Sequence, residues 1–334
     1  MRVTDADGHT GWGEAILPKR RNAVLGAIKD DARLVIGQDA QRIESGGFTE
    51  WSSGTSDIRR DEVTVDNTAR DIRYINPFRD RLQKGRPLVG AWAMLNSTAA
   101  IEGLGWAGFD WLLIDGEHSP AGLSDILAHL RGLSATPTIP IVRIPYNDKV
   151  VFLRHLDIGA QTIMVPMIQT AAEAENAARA MRYPPAGSRG FAAMHRASRY
   201  GHIPDYVKRA HESVFLIGQV ETPTALGNLD AIAAVEGMDA LFFGPGDLSA
   251  TMGYLGQPDH PEVSATIIEA AKRVRAAGKF VGALAATPDQ AQLFLRAAFD
   301  FVSVGTDCSI LFKTAGRVAK EFTEFARGPD IISS

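Results

Sequence analysis

From residue 86 onward, short runs of Val, Ile, Leu, Met and Phe alternate with longer segments in which apolar residues recur every three or four positions. The first kind suits buried strands and the second suits amphipathic helices. Eight such pairs follow one another. Strands are predicted at 88–94, 111–115, 140–144, 162–167, 215–221, 240–244, 280–284 and 301–305. Helices are predicted at about 97–107, 120–133, 148–158, 170–181, 223–235, 261–277, 287–297 and 309–326. The strands are continuously apolar rather than alternating, as in a parallel sheet covered by helices. The fold class is therefore α/β, a (β/α)8 TIM barrel with a small N-terminal appendage, and an open doubly wound sheet is the second choice.

Residues 1–85 break this pattern. The stretch Val3-Thr-Asp-Ala-Asp-Gly-His-Thr-Gly-Trp-Gly-Glu-Ala reads as a hairpin turning at Asp7-Gly8, followed by a helix near 18–36. Gly, Ser, Thr and charged residues crowd 46–66, as in a linker. Asn76-Pro-Phe-Arg starts a helix over about 76–84, with Asn as N-cap and Pro at the first position, expected to lie across the closed end of the barrel. The chain thus divides into a fragment over 1–48, a linker over 49–75 and a barrel over 76–330.

Composition narrows the function. With 334 residues, 45% of them hydrophobic, the chain carries core enough for a soluble catalytic domain of roughly 250 residues and an appendage. Lys+Arg 35 against Asp+Glu 39 gives a net charge of −4, and no basic run exceeds Lys19-Arg20-Arg21, which argues against nucleic acid or a membrane as partner. No apolar stretch approaches a spanning helix and the N-terminus lacks a signal-peptide run, so a cytoplasmic protein acting on small molecules is expected. The single cysteine, Cys308, permits no internal disulfide and is read as a packing residue.

In such barrels chemistry collects where strands end. Asp115 and His118 follow the second strand, Arg143 closes the third, Gln219 and Glu221 close the fifth, and Gly246-Asp247 follow the sixth. Glu221 and Asp247 would repel each other at a shared mouth unless a cation or proton lies between them. Two carboxylates without a Cys/His cluster point to Mg²⁺ or Mn²⁺, or another divalent ion such as Co²⁺, rather than zinc. The alternative is that both act as helix N-caps. Arg143 can hold a carboxylate or enolate oxygen, or merely neutralise Asp115 or Asp148. His118 is the best general-base candidate among eight histidines, and Asp157 on the next helix could orient it.

Two motifs are set aside or given a lesser role. Gly103-Leu-Gly-Trp-Ala-Gly108 follows a helix and precedes a strand, the reverse of a pyrophosphate-binding turn, and is read as helix-ending glycines. The segment Arg182-Tyr-Pro-Pro-Ala-Gly-Ser-Arg-Gly190 is read as a shaped lid or substrate-side loop. Lys149, Lys208, Lys272, Lys279, Lys313 and Lys320 fall on helices or before strands, so a Schiff-base mechanism is not expected.

Residues about 78–327 resemble the HpcH/HpaI aldolases, metal-dependent pyruvate aldolases of the phosphoenolpyruvate-binding barrels. The motifs that carry the resemblance are Asp110-Trp-Leu-Leu-Ile-Asp-Gly-Glu-His118, Pro140-Ile-Val-Arg143, Val165-Pro-Met-Ile-Gln169, Arg182 to Gly190, Gln219-Val-Glu221, Gly244-Pro-Gly-Asp-Leu-Ser249 and Val304-Gly305. The resemblance implies Glu221 and Asp247 as ligands of a divalent ion, Arg143 as the enolate-stabilising residue, and His118 with Asp157 in acid/base work. It places Gln219 beside the pyruvate, Asp115 in the same pocket, and the Gly246 amide on the pyruvate carboxylate, at a position where many relatives carry Ala. It also implies a homo-hexamer, a trimer of dimers that exchange the last helix. The expected activity is cleavage of a 4-hydroxy-2-oxo acid, of the 2-keto-3-deoxy sugar acid or 4-hydroxy-2-oxoheptanedioate type, to pyruvate and an aldehyde. An oxaloacetate decarboxylase and a catalytically silent fusion protein are the alternatives. Separately, Gly11-Trp-Gly-Glu14 and Ile36-Gly-Gln-Asp-Ala-Gln-Arg-Ile-Glu44 resemble the opening of the cap domain of mandelate-racemase-type sugar-acid dehydratases. Since no Lys-x-Lys base follows on the second barrel strand, this fragment is expected to carry no chemistry.

Overall fold

The computed structural model describes residues 2–4, 10–12 and 74–326. The chain divides into two units, Met1–Ala69 and Arg70–Ser334. In the first, β1 (Arg2–Thr4) pairs antiparallel with β2 (Thr10–Trp12), with Val3 opposite Gly11, so the strands of the expected hairpin form. Its turn at Asp7-Gly8, the helix near 18–36 and residues 49–73 of the linker lie outside the described residues.

The second unit is a closed barrel of eight parallel strands. They are β3 (Leu88–Ala93), β4 (Trp111–Asp115), β5 (Ile139–Arg143), β6 (Thr162–Val165), β7 (Phe215–Val220), β8 (Ala240–Phe243), β9 (Phe280–Leu284) and β10 (Phe301–Thr306). Each pairs with the next and β10 returns to β3, so the closed-barrel reading stands and the open sheet is excluded. Every residue of β4, β6, β7 and β8 is buried, the mark of strands covered on both faces.

Side-chain parity explains both layers of core. Trp111 and Leu113 of β4, Ile139 and Ile141 of β5, and Phe215 and Ile217 of β7 fill the barrel interior. Their neighbours Leu112, Ile114, Val142, Leu216 and Val220 face the helices. Because the period along a strand is two, Asp115, Arg143 and Gln219 fall on the inward parity, one step beyond the last apolar layer. Gly90 admits this packing: a Cβ there would lie 2.2 Å from the Trp111 ring.

The bottom is closed by the helix Pro77–Leu82. Asn76 caps it, its Oδ1 accepting from the Phe78 and Arg79 amides at 3.0 Å, while its Nδ2 donates to Ser213 O at 3.0 Å. Phe78, fully buried, meets Phe215, Phe301 and Trp111 edge to face with ring centroids 5.5, 5.2 and 6.4 Å apart. Phe78→Ala is expected to cost about 3–5 kcal/mol in urea unfolding, because the plug leaves a cavity ringed by aromatics that cannot collapse into it.

Three features differ from the sequence reading. The helix predicted at 223–235 is two helices, Pro223–Gly227 and Leu229–Ala233, broken at Asn228. A short helix, Pro245–Thr251, follows β8, where the sequence offers a helix start only through the capping alternative for Asp247. The Arg182 to Gly190 segment is no lid over its own barrel: it follows the helix Ala171–Ala180 and precedes β7, so it lies at the N-terminal ends of the strands, away from the mouth. The glycines of 103–108 do end a helix, Thr98–Gly105. The last helix, Asp307–Ala326, leaves Ile310, Leu311, Phe312, Val318, Phe322 and Phe325 exposed within a single chain. Among the described residues, no helix is long and apolar enough to cross a membrane.

Candidate active site

Arg143, at the end of β5, is gripped by Asp115, at the end of β4, its register partner. Nε donates to Asp115 Oδ1 at 2.8 Å and Nη2 to Oδ2 at 2.7 Å, a bidentate pair whose side chains are 6% and 0% exposed. The Trp92 ring packs against the guanidinium, 5.1 Å from its carbon. The remaining nitrogen, Nη1, meets Glu117 Oε2 at 2.8 Å and donates to Gln219 Oε1 at 3.5 Å. Burial pushes the Asp115 carboxyl up, but the hydrogen bond and charge of Arg143 and the amides of Glu117 and His118 more than reverse this and hold it below its usual range.

From Gln219 the network continues to Glu221, whose Oε1 accepts from Gln219 Nε2 at 2.7 Å. Its Oε2 accepts from the Met167 amide at 3.2 Å. Met167 holds a left-handed backbone, φ 55°, and this strained turn aims its N–H inward. Gly244 must lack a side chain, because a Cβ would come within 2.4 Å of Glu221 Oε1. Glu221 is 3% exposed, and burial pushes its carboxyl up to about 7. The Met167 amide and Arg143 oppose this rise, and the charges of Asp247 and Glu117 add to it.

The N-cap alternative for the two carboxylates does not hold. Thr222, not Glu221, caps Pro223–Gly227, its hydroxyl accepting from Ala225 N at 3.1 Å. Gly244 holds the cap position of Pro245–Thr251, and exposed Asp247 lies inside its first turn. Glu221 and Asp247 are therefore free of capping duty and close enough to repel. Among the described residues no three His, Cys, Asp or Glu side chains gather as a metal cage. The donor set suits a hard divalent cation that takes two protein carboxylates and completes its shell with water or substrate oxygen. Gly246 is exposed, and a Cβ there would meet nothing within 4 Å, so Ala fits equally well.

His118 and Asp157 are not brought together within this chain. His118 is 60% exposed at the mouth, its Nε2 3.9 Å from Glu117 Oε2. Asp157 ends the helix Lys149–Asp157, which starts beside the mouth and runs back toward the start of β6, so it lies at the opposite end of the barrel. There Asp157 Oδ1 accepts from Arg189 Nη2 at 2.8 Å and lies 3.6 Å from His195 Nε2. The arrangement also brings in Glu117, which the sequence reading did not single out. Its position next to His118 in Asp-Gly-Glu-His was the available signal.

Residues 88–314 match the family model described as HpcH/HpaI aldolase/citrate lyase. The chain is 46% identical over 252 residues to a 4-hydroxy-2-oxo-heptane-1,7-dioate aldolase of Klebsiella pneumoniae, covering 75% of this chain and 95% of that protein. A crystal structure of an HpcH/HpaI aldolase/citrate lyase family protein from Burkholderia cenocepacia superposes with a TM-score of 0.72 at 36% identity, over 74% of this chain and 99% of that one. The HpcH/HpaI aldolase from Desulfitobacterium hafniense gives 0.68 at 26% identity, over 74% and 96%. With the barrel, the carboxylate pair and the buried arginine in place, the chain belongs to the HpcH/HpaI aldolase/citrate lyase family and is a carbon–carbon lyase.

Proposed function

We propose that the protein is a divalent-metal-dependent aldolase that cleaves a 4-hydroxy-2-oxo acid to pyruvate and an aldehyde, with 4-hydroxy-2-oxoheptanedioate as the first substrate to test. The observation that carries this is the continuous network Asp115–Arg143–Gln219–Glu221, ending beside Asp247 in more carboxylate charge than one guanidinium offsets. Glu221 and Asp247 would hold Mg²⁺ or Mn²⁺, which when bound polarises the 2-oxo oxygen of the substrate. Arg143, fixed by Asp115 and Trp92, holds the oxygen on which enolate charge develops without having to reorganise. Gln219 orients the oxo acid, and the Gly246 amide takes its carboxylate. His118 removes the 4-hydroxyl proton as the C3–C4 bond breaks, the bonding pair passing into the enolate and the aldehyde leaving.

The partnership of Asp157 with His118 then requires a second copy of the chain, since the two lie at opposite ends of one barrel. The apolar residues left exposed on Asp307–Ala326 support such assembly, a homo-hexamer that exchanges this helix. Residues 1–75 take no part in the chemistry, and the protein works in the cytoplasm on small molecules.

His118→Ala tests the reading. Cleavage of 4-hydroxy-2-oxo acids should slow by roughly 10²–10⁴-fold, because an alcohol proton must move. Decarboxylation of oxaloacetate, which needs no such transfer, should be spared. Pyruvate release from both substrate types, with wild type and variant side by side, makes the comparison. Equal losses would contradict the role of His118, and release from oxaloacetate alone by the wild type would favour a decarboxylase.

A further inference from the structure

Arg143 has few donors to spare. Asp115 takes Nε and one N–H of Nη2, the Trp92 ring packs against the guanidinium, and the pair is nearly solvent-free. Nη1 is the nitrogen turned toward Gln219 and Glu221, where the oxo acid would lie, and Glu117 Oε2 sits on it at 2.8 Å. Glu117 is held there by its own backbone, because its amide donates to Asp115 Oδ1 at 3.0 Å and the next amide, of His118, to the same oxygen at 3.4 Å. An oxygen of an anionic substrate cannot take full advantage of Nη1 while this carboxylate holds it. The same Oε2 has a second polar neighbour within reach, His118 Nε2 at 3.9 Å. The Glu117 side chain is 20% exposed, so it can turn between these two neighbours without leaving a buried charge behind.

We propose that Glu117 is a positioning residue that competes with the 2-oxo acid for Arg143 Nη1, and that binding of the acid shifts its carboxylate onto His118. The substrate oxygen replaces one anion with another on the guanidinium. The displaced carboxylate then stands beside the imidazole as negative charge, favouring the imidazolium that forms when the 4-hydroxyl loses its proton. Binding and proton transfer are thereby linked through one side chain: Glu117 weakens the grip on substrate and contributes to turnover. Its loss should improve the first and harm the second. This rests on the aldolase reading above.

The test is calorimetric titration of oxalate, a planar mimic of the pyruvate enolate, into the protein in saturating Mg²⁺, with steady-state kinetics beside it. Glu117→Gln keeps the volume and Glu117→Ala removes the group, and thermal melts report that each is folded. Both should bind oxalate about tenfold more tightly than wild type, with KM lowered and kcat reduced about five- to tenfold. A merely structural role would not move KM and kcat in the same downward direction. Weaker or unchanged oxalate binding in both variants, with the wild type active, would overturn the competition and leave the aldolase reading standing. A wild type that neither binds oxalate in Mg²⁺ nor releases pyruvate would overturn both.

Discussion

Arg143→Ala is expected to lower kcat/KM for 4-hydroxy-2-oxo acid cleavage by about 10³-fold and to destabilise the fold by about 3–5 kcal/mol. The first figure is the usual loss on removing a fixed donor from the oxygen where charge develops. The second arises because Asp115, with a fully buried side chain, would be left as an unpaired charge. Arg143→Lys should fare little better for turnover, since one ammonium cannot serve both oxygens of Asp115 and still reach Gln219. The sign of the pH dependence follows from Asp115. Paired with Arg143, its carboxyl is held below the usual range, so it contributes stability above the ordinary carboxylate pKa that is lost as pH falls through the depressed one. Without Arg143, burial dominates and the carboxyl rises, so the variant should be weakest at neutral pH and recover on acidification. Urea unfolding at pH 7 and pH 5 measures this; a loss below about 1 kcal/mol at pH 7 would mean the pair is not the buried anchor described.

Glu221→Gln is expected to abolish turnover, by 10³-fold or more, while making the metal-free protein more stable at alkaline pH. The Glu221 carboxyl is raised from 4.5 to about 7, chiefly by burial. A raised carboxyl binds its proton more tightly folded than unfolded. Stability from this group is therefore present at acid pH and lost as pH rises between those values, a cost of about 3 kcal/mol once complete. Gln, which cannot ionise, avoids the cost. A divalent cation offsets it in the wild type only, and does so best above pH 7, where no proton competes for the carboxylate. Melting temperatures with and without Mg²⁺ at pH 6 and pH 8 should show a metal shift in wild type that is larger at pH 8, and none in the variant. An equal Mg²⁺ shift in both proteins would remove Glu221 from the metal-binding pair.

Much of the barrel was legible because its signal is local. Runs such as Trp111–Asp115 and Phe215–Val220 are too short and too continuously apolar for anything but buried parallel strands, and their polar ends mark the mouth. The inward parity of Asp115, Arg143 and Gln219 is also a property of the strand itself. The errors came where direction or side-chain reach decides. Asp157 lies only 14 residues from Arg143 in sequence, yet the helix between them reverses the chain and carries it to the other end of the barrel. The Arg182 to Gly190 segment was misplaced for the same reason, since an αβ connection cannot cover its own mouth. Glu117 was overlooked because spacing alone says nothing of which donor a flexible side chain will find. The helices on either side of Asn228 and the helix Pro245–Thr251 are too short for a helical period to announce.

The central claim is metal-dependent release of pyruvate without a covalent lysine. The most direct measurement is pyruvate formation from 4-hydroxy-2-oxoheptanedioate by the full chain, assayed in excess chelator, then after addition of Mg²⁺ or Mn²⁺, with a parallel borohydride trap analysed by mass spectrometry. Pyruvate should cease to form on chelation and return with the metal, and no lysine adduct should be found. Undiminished release in excess chelator, or a stable pyruvate–lysine adduct, would contradict it.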